Sequence, residues 1–254
     1  MVSLENRKLI MEALGVFALC YVGGWSVEWA LVNKASTTAV AIAHGLVLGL
    51  FVFLGGSISG GHYNPAVSIA LCVTGYQRLE ETMKYVLAQF GGSMLAGIIL
   101  FMMKPDWLTS RKEGLLLGHP SLPDDVDSLT GFVCEAVATG FLVLCVFAAG
   151  IHRKAHDGVV ATLVGSSLML GVLSIGNVTG AALNPCRVFG PAMFSGRVGD
   201  RGHMIYYLGP IFGGVATGVT YKMLFIIGGK KIGEFARKDD KRELDYTTDE
   251  SLST

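Results

Sequence analysis

Two short stretches decide the fold: GGHYNPAV at residues 60–67 and GAALNPCR at residues 180–187. In each stretch an Asn that can cap a helix is followed by a Pro, which is favoured at the first helical position because its missing N–H has no partner there. Glycine precedes both caps and permits an irregular backbone, which hydrocarbon tolerates only where it is buried in protein or lines a cavity. A pair of caps in a protein interior is the plainer interpretation of one motif, and the second copy disfavours it. The stretches therefore predict helices that start inside a membrane beside a water-filled path.

The two Asn side chains are expected at the midplane of that path. The carbonyl oxygen of an Asn cap accepts from first-turn N–H groups, and its NH₂ group is expected to stay free to donate into the path. Two such donors at the positive ends of two helices would hold water and repel cations. The caps are Asn64 and Asn184, and the backbone predicted to line the path beside them belongs to Gly61, His62, Tyr63, Gly180 and Ala182.

The composition is that of a polytopic membrane protein. Of the 254 residues, 51% are hydrophobic, only 16% are charged and 34 are Gly, and the mean hydropathy is +0.52. Small residues let helices approach closely in lipid, which tolerates few charges. The formal net charge is zero, so no basic excess indicates a nucleic-acid partner. The five Cys lie in or beside apolar segments and are expected as small buried residues rather than as a disulfide framework.

Hydropathy predicts six membrane spans and two shorter, re-entrant half-helices. Each span is close to the ~20 residues that a bilayer requires, whereas the apolar stretches after the two Asn-Pro pairs are too short to cross. The apolar run that begins after Arg7 is expected to be the first span rather than the core of a cleavable signal. The predicted spans are 8–31, 39–57, 83–103, 131–151, 158–176 and 204–227, and the predicted half-helices are 65–74 and 185–196.

These elements divide the chain into two halves, each with three spans and one half-helix. Because each half crosses the membrane three times, an odd number, the second half enters the membrane from the opposite side. The second half is therefore expected as an inverted copy of the first, with the half-helices meeting near the midplane. Lys and Arg are more frequent at the span ends on the side of the termini, which predicts that both termini are cytoplasmic. The expected division is a cytoplasmic N-terminus at 1–7, a first repeat at 8–103, an extracellular connecting loop at 104–130, a second repeat at 131–228 and a solvated cytoplasmic tail at 229–254.

Polar side chains inside the spans recur with the halves. Glu12 in the first span recurs as Glu135 in the fourth, and Gln89 lies in the third. Each acid is alone on its helix, without a carboxylate or histidine chain, so support of the irregular backbone before each half-helix is preferred over proton relay. Glu28, near the outer end of the first span, is expected to need no special role. The sequence thus predicts Glu12, Glu135 and Gln89 as loop supports.

Arg187 follows the second Asn cap by three residues and has no acid near it in the sequence. It either pairs with a distant Glu or lines the pore, and the second is favoured because the adjoining backbone borders the predicted cavity. His44 interrupts the second span, where a structural role and a pore role both stay open. His62 is expected to brace the first loop rather than touch the permeant.

At these residues the chain resembles an aquaporin of the major intrinsic protein family, and the resemblance runs from about residue 12 to residue 225. The paired Asn-Pro-Ala signature is highly specific for that family. Here the first copy, Asn64-Pro65-Ala66, is intact, and the second departs from it in its third residue, Cys186. The resemblance implies a homotetramer with one pore in each subunit, embedded in membrane lipid.

By the same resemblance, the narrow outer filter of the family falls on His44, Val172, Ala181 and Arg187. Strict water channels of the family carry an aromatic residue where His44 stands and a histidine where Val172 stands. This filter instead resembles those of plant tonoplast intrinsic proteins and of the animal ammonia-permeable branch. Glycerol-conducting relatives carry an Asp and a basic residue where this chain has Val188 and Ala192. The resemblance therefore implies passage of water, and of ammonia beside it.

Three classes of function compete. A passive channel for water and small neutral solutes leads. A structural or junction protein of the same fold with a closed pore is the alternative, because Cys186 departs from the signature. An enzyme is disfavoured, since the sequence holds no Ser/His/Asp set, paired acids or metal spacing such as His-x-x-x-His. We accordingly expect no catalytic residue, no metal and no cofactor.

Overall fold

The structure is a computed structural model that describes residues 2–106 and 115–227. The predicted tail at 229–254 and part of the predicted connecting loop lie outside the described residues. The described chain forms eight α-helices and contains no strand. The helix bounds are Leu4–Asn33 (α1), Thr37–Ser59 (α2), Pro65–Val73 (α3), Leu79–Met103 (α4), Ser128–Cys145 (α5), Asp157–Thr179 (α6), Pro185–Ser195 (α7) and Ile205–Tyr221 (α8).

Five helices of the described chain are long and apolar enough to cross a membrane: α1, α2, α4, α6, and α5 together with its π-helical continuation Val146–His152. Helix α8 has 17 residues and runs on into the π-helical segment Lys222–Ile227, so both segments together occupy the sixth predicted span. Helices α3 and α7 have 9 and 11 residues, too few to cross a bilayer. The predicted all-α membrane fold with two half-helices is confirmed.

Some helices extend beyond the predicted spans because polar residues cap them. Helix α1 starts at Leu4, where the Ser3 hydroxyl accepts from the Asn6 N–H at 3.2 Å, whereas the predicted span starts at Lys8. Helix α5 starts in the same way, with Asp127 accepting from the first-turn N–H groups at 2.9 and 3.0 Å. Hydropathy reports the part of a helix that fits hydrocarbon, while the cap fixes where the helix begins.

The two halves repeat one packing arrangement in inverted orientation. Helix α1 packs against α4, α5 packs against α8, and contact between α2 and α6 joins the halves. Gly92 on α4 and Gly213 on α8 lie at matching places, since a Cβ on either would overlap a carbonyl group, that of Ala13 on α1 and that of Ala136 on α5. The helix backbones touch at both points, which only glycine allows. The predicted inverted repeat is present in these contacts.

Each half-helix packs against a long helix of the opposite half, α3 against α8 and α7 against α4. We call the end of the bundle that carries the first residues of α1 the inner end, and the end that carries residues 115–127 the outer end. By chain direction α3 runs from the centre towards the inner end, and α7 runs from the centre towards the outer end. The two halves are therefore interlocked rather than placed side by side.

The outer loop before α5 is anchored on α1 through Glu28. This side chain is 1% exposed, and its carboxylate accepts from the Leu117 backbone N–H at 2.6 Å. Leu117 has a φ of 52° and Gly118 a φ of 81°, and a Cβ on Gly118 would overlap the Cα of Gly24 on α1. The expectation that Glu28 needs no special role is wrong, because its carboxylate satisfies a backbone group of a loop pressed onto its own helix.

Candidate functional site

Both Asn residues of the repeated motif cap their half-helices. Oδ1 of Asn64 accepts from the Ala66 N–H and Oδ1 of Asn184 accepts from the Cys186 N–H, both at 2.9 Å. A Pro occupies the first turn in each case. The two caps have the same geometry, so the Cys that departs from the signature leaves the cap unaltered.

The same Asn side chains join the two half-helices to each other. Nδ2 of Asn64 donates to the Leu183 carbonyl, and Nδ2 of Asn184 donates to the Tyr63 carbonyl, both at 2.8 Å. The sequence-based expectation that the NH₂ groups stay free needs correction. An amide nitrogen carries two hydrogens, and one of them is engaged by the backbone of the opposite half. One N–H of each cap is left over.

The backbone before the two caps has the same left-handed shape. The φ angle is 64° at Gly61 and 52° at the matching Ala181, and 48° and 53° at Tyr63 and Leu183, the residues directly before the caps. A residue with a side chain adopts this conformation at a cost of about 1–2 kcal/mol. The conformation therefore has to be held by contacts from outside the loop.

In the first half, Glu12 supplies that contact. Its carboxylate is fully buried and accepts from the backbone N–H groups of His62 at 3.0 Å and Tyr63 at 2.7 Å. It also accepts from the Ser59 hydroxyl at 2.7 Å. These are charge-assisted hydrogen bonds, which are stronger than neutral ones. Glu12 thus fixes the loop that precedes α3.

In the second half, Glu135 makes the same three contacts. Its carboxylate, also fully buried, accepts from the N–H groups of Ala182 at 2.9 Å and Leu183 at 2.8 Å and from the Thr179 hydroxyl at 2.7 Å. The repetition of one acid, one hydroxyl and two amides in both halves shows that each loop is built around its acid.

Gln89 does not reach the irregular backbone, contrary to the expectation from sequence. Its Nε2 donates to Glu12 Oε2 at 2.8 Å and to the Ser68 hydroxyl at 3.0 Å. Ser68 in turn is 3.0 Å from Nδ1 of His62. Gln89 therefore acts through Glu12 and Ser68, and His62 is braced by the first turn of its own half-helix.

The predicted filter residues His44 and Arg187 are in direct contact. Nε of Arg187 donates to Nε2 of His44 at 3.0 Å, and Nδ1 of His44 lies 2.8 Å from the Val40 carbonyl. A carbonyl can only accept, so Nδ1 carries the proton and Nε2 offers its lone pair. Among the described residues, Nη1 of Arg187 has no hydrogen-bond partner. Arg187 pairs with a histidine rather than with a distant Glu.

An outer cavity of about 270 Å³ lies beside this contact. Its lining includes Arg187, Val172, Gly180 and His119. Val172 and Ala181, the other two predicted filter residues, are 2% and 0% exposed. Three of the four predicted filter positions are thus tied by contact or by a shared cavity, and Ala181 lies in the loop that borders it.

An inner cavity of about 360 Å³ lies at the opposite end of the half-helix pair. Gly61 and His62 line it from the first loop, and Val67 lines it from α3. Lys154 and Asp157, at the start of α6, form its rim. Of the five residues predicted to line the path, Gly61 and His62 line the inner cavity and Gly180 lines the outer one. Tyr63 and Ala182 are fully buried.

Several residues that hold the site were missed by sequence reasoning. The Ser93 hydroxyl donates to the Cys186 carbonyl and accepts from the Gly190 N–H at 2.8 Å, which ties the first turn of α7 to α4. The hydroxyls of Tyr85 and Tyr206 donate to the carbonyls at the ends of α2 and α6, both at 2.7 Å. The two tyrosines occupy matching places in the repeat, and that recurrence is a signal the sequence does carry.

Comparison with known proteins shows the family of the chain. Residues 2–221 match the family described as Major intrinsic protein. The chain is 39% identical over 193 residues to Aquaporin TIP4-4 of Zea mays, covering 76% of this chain and 73% of that protein. It is 31% identical over 224 residues to Aquaporin-8 of Mus musculus, covering 87% and 82% of the two chains.

Two further matches agree. The chain is 34% identical to Nodulin-26 of Glycine max over 223 residues, which cover 86% of this chain and 78% of that one. The X-ray structure of the aquaglyceroporin from Plasmodium falciparum has the same fold, with a TM-score of 0.75, 22% identity and coverage of 85% and 95%. The chain belongs to the major intrinsic protein family, the aquaporins, and is an integral, multi-pass membrane protein of a family of transport channels.

Proposed function

We propose that the protein is a passive transmembrane channel for water that also passes ammonia. One observation supports this most: two Asn-capped half-helices of opposite direction meet through Asn64 and Asn184, between an outer cavity beside Arg187 and an inner cavity beside His62. One amide N–H of each cap is left to donate to a passing water oxygen. Transport then needs only the exchange of hydrogen bonds.

Cations are refused by fixed positive potential. The helix N-termini at Asn64 and Asn184 each carry roughly half a positive charge, and Arg187 adds a full charge at the outer filter. The buried carboxylates of Glu12 and Glu135 are each engaged by two loop N–H groups and a hydroxyl. A neutral molecule that accepts hydrogen bonds is stabilised by the donors, whereas a cation is repelled.

Ammonia is expected to pass because one side of the filter carries small apolar side chains and the other side carries hydrogen-bond donors. Val172 and Ala181 replace larger groups, and both ring nitrogens of His44 are already engaged by Arg187 and Val40. The guanidinium of Arg187, whose Nη1 has no hydrogen-bond partner among the described residues, then supplies the donors of the filter. The lone pair of NH₃ can accept from it, but NH₄⁺ has no lone pair and is refused. The filter offers no aromatic hydrocarbon wall for the carbon chain of glycerol, so glycerol is expected to pass poorly.

Stopped-flow light scattering of proteoliposomes tests the water channel. We expect osmotic shrinkage well above the rate of protein-free vesicles of the same lipid. Ammonia entry is followed separately with a trapped pH dye, which we expect to alkalinise faster than in protein-free vesicles. Shrinkage at the lipid rate would favour the closed-pore structural protein of the same fold instead.

We further propose that the channel is a homotetramer with cytoplasmic termini. Helices α2 and α6 form an exposed apolar face. Its residues on α2 include Leu46, Leu50, Phe53 and Leu54, which are between 49% and 68% exposed in the single chain. Such a face suits a neighbouring copy or lipid. Native mass spectrometry in mild detergent reports the number of subunits, and protease access to the tail in sealed vesicles reports its side.

A further inference from the structure

The inner half-helix α3 ends on a lysine that belongs to the second half of the chain. Nζ of Lys222 donates to the carbonyl of Thr74, the residue that ends α3, at 2.5 Å. Thr74 is 3% exposed, and the last carbonyls of a helix have no partner within the helix. The ammonium also lies 5.5 Å from the centroid of the Tyr76 ring, within reach of a cation–π contact. Lys222 therefore satisfies a buried backbone group that lies 148 positions away in the sequence.

This lysine contact is the last step of a row of contacts between α3 and α8. A Cβ on Gly214 would lie 3.1 Å from the Ala66 carbonyl oxygen, and a Cβ on Gly218 would lie 3.5 Å from the Ala70 Cβ. Each step advances four residues on both helices, which keeps the contacts on one face of each helix. The third step is the hydrogen bond from the lysine. Small residues thus bring the two helices close together, and the lysine closes the row at the inner end.

The charge of Lys222 is directed at the negative end of α3. A helix C-terminus carries roughly half a negative charge, and a cation beside it is stabilising. Among residues 2–106 and 115–227, no carboxylate forms an ion pair with Lys222. The helix that carries the lysine changes to π-helical geometry at this residue, whose N–H is shared by the carbonyls of Gly218 and Val219. Such π-helical turns are uncommon and are frequent at functional sites.

The outer half-helix has no lysine at the matching place. The corresponding row joins α7 to α4 and consists of the pairs Cys186–Ser93, Gly190–Gly97 and Phe194–Phe101. Its first step is a hydrogen bond from the Ser93 hydroxyl, and its last step is a contact of two aromatic rings with centroids 6.4 Å apart. The fold can therefore complete such a row without a cation, and the lysine is particular to the inner half-helix.

We propose that Lys222 is a positioning residue of the pore, which holds α3 against α8 and thereby sets the width of the inner cavity. Val67 and Leu71, one turn apart on α3, line this cavity. Helix α3 has 9 residues, about two and a half turns; Asn64 holds its first end and Lys222 its last. Without the lysine, the last turn of α3 can move into the cavity and narrow the path. The inference rests on the proposed water channel.

Neutral and charged replacements of Lys222 test its role as an anchor. Lys222→Met keeps the length and the apolar stem of the side chain but removes the charge and the donors, whereas Lys222→Arg keeps both. Lys104→Met is the matched control, because the Lys104 ammonium lies at the end of α4 but donates to the Phe101 carbonyl of its own helix. Stopped-flow light scattering of proteoliposomes with counted channels gives the water permeability per channel. We expect it to fall about twofold or more in Lys222→Met and to be retained in the other two variants.

Hydrogen exchange followed by mass spectrometry reports the hold on α3 without any transport. The N–H groups of Thr74, Gly75 and Tyr76 donate to carbonyls of α3, and their exchange should become about threefold faster or more in Lys222→Met. Lys222→Arg should restore the slower exchange, and the Gly196 amide at the end of α7 should not change. A lack of water flux in the unaltered protein would contradict the channel, whereas these exchange rates still test the anchor.

Unchanged exchange at the end of α3, or unchanged water permeability per channel, in Lys222→Met would overturn the inference. Equal losses in Lys222→Met and Lys222→Arg would also overturn it, because the charge and the donors would then not matter. A thermal melting curve reports whether Lys222→Met is folded. If it is not, Lys222→Gln carries the test, since it keeps a donor and loses the charge; its permeability should be below that of Lys222→Arg, and equal values would contradict the anchor.

Discussion

Arg187 and His44 form a hydrogen bond of fixed direction, from Nε to Nε2 at 3.0 Å, between two side chains that are 3% and 0% exposed. The Val40 carbonyl sets the direction, because it forces the proton of the imidazole onto Nδ1. The guanidinium is thereby held by its Nε edge. Its position in the filter depends on a histidine from the other half of the repeat, so selectivity should respond to changes at either partner.

The first prediction concerns the open side of the filter. Val172→His adds a second imidazole where the chain has a small apolar group, and it should lower ammonia flux more than water flux. Stopped-flow traces of water and ammonia in the same proteoliposomes give the ratio. Leu173→His places a histidine on a neighbouring residue that is 44% exposed and is the control. An equal loss of both fluxes would show that Val172 does not select between them.

Arg187→Val should open the filter to protons and cations. The variant removes a buried positive charge and its donors, so water flow should persist while proton leak rises. Liposomes loaded with a pH dye and given a pH step measure the leak. If the leak stays at the level of the unaltered channel, Arg187 acts only as a partner of His44.

Replacement of one cap by an acid tests the midplane. Asn64→Asp puts a carboxylate at the positive ends of α3 and α7, and it also loses the donor to the Leu183 carbonyl. Cation conductance in planar bilayers should appear. Asn184→Asp is the matched variant in the other half, and the inverted repeat predicts the same effect. A folded pair of variants without new conductance would contradict the electrostatic account.

Loss of a loop support should lower stability. Glu135→Gln replaces one acceptor oxygen by an NH₂ group. At the Oε2 position this group faces the Leu183 N–H, and at the Oε1 position it faces the Ala182 N–H and the Thr179 hydroxyl. The free energy of unfolding should fall by about 3 kcal/mol, the cost of leaving buried groups without a charged acceptor. Unfolding in a denaturing detergent measures it. Glu5→Gln, which removes an exposed carboxylate paired with Lys84, should cost less than about 1 kcal/mol.

Acid should lower the stability of the fold through His119, a buried residue at the outer end of the bundle. Burial and the neighbouring His203 lower its pKa from 6.5 to about 3, so the unfolded chain binds a proton that the folded chain refuses. Stability is therefore complete above pH 6.5 and falls as the pH drops towards 3, by at most about 1.4 kcal/mol per pH unit. Thermal melting from pH 8 to pH 4 should show this slope. A smaller slope is expected in His119→Gln, and an identical slope would exclude His119 as the source.

The parts of the site that follow local rules could be predicted from sequence. Asn64 and Asn184 predict where their helices start, because a cap forms hydrogen bonds with the residues beside it in the sequence. Glu12 and Glu135 were found because a carboxylate inside an apolar span is costly and has to be engaged. The repeat then doubled each signal, which made the fold and the support of both loops accessible without coordinates.

Other contacts depend on distances that no local pattern encodes. Glu28 looked unremarkable because its partner, the Leu117 N–H, belongs to a loop without periodicity. The role of His44 stayed open because its partner lies in the other half of the chain. Gln89 was assigned to the right cluster but to the wrong partner, since the sequence does not reveal that Ser68 stands between it and the loop.

The exchanged hydrogen bonds between the caps have a consequence for how the chain is made. Within the described residues, the protein partner of Asn64 Nδ2 is the Leu183 carbonyl, and that residue is synthesised 119 positions later. The first half can therefore enter the membrane on its own, but its re-entrant loop has no partner until the second half arrives. We therefore expect the pore to be the last element to form during biogenesis. Two half-chains expressed separately should accordingly assemble only as a matched pair.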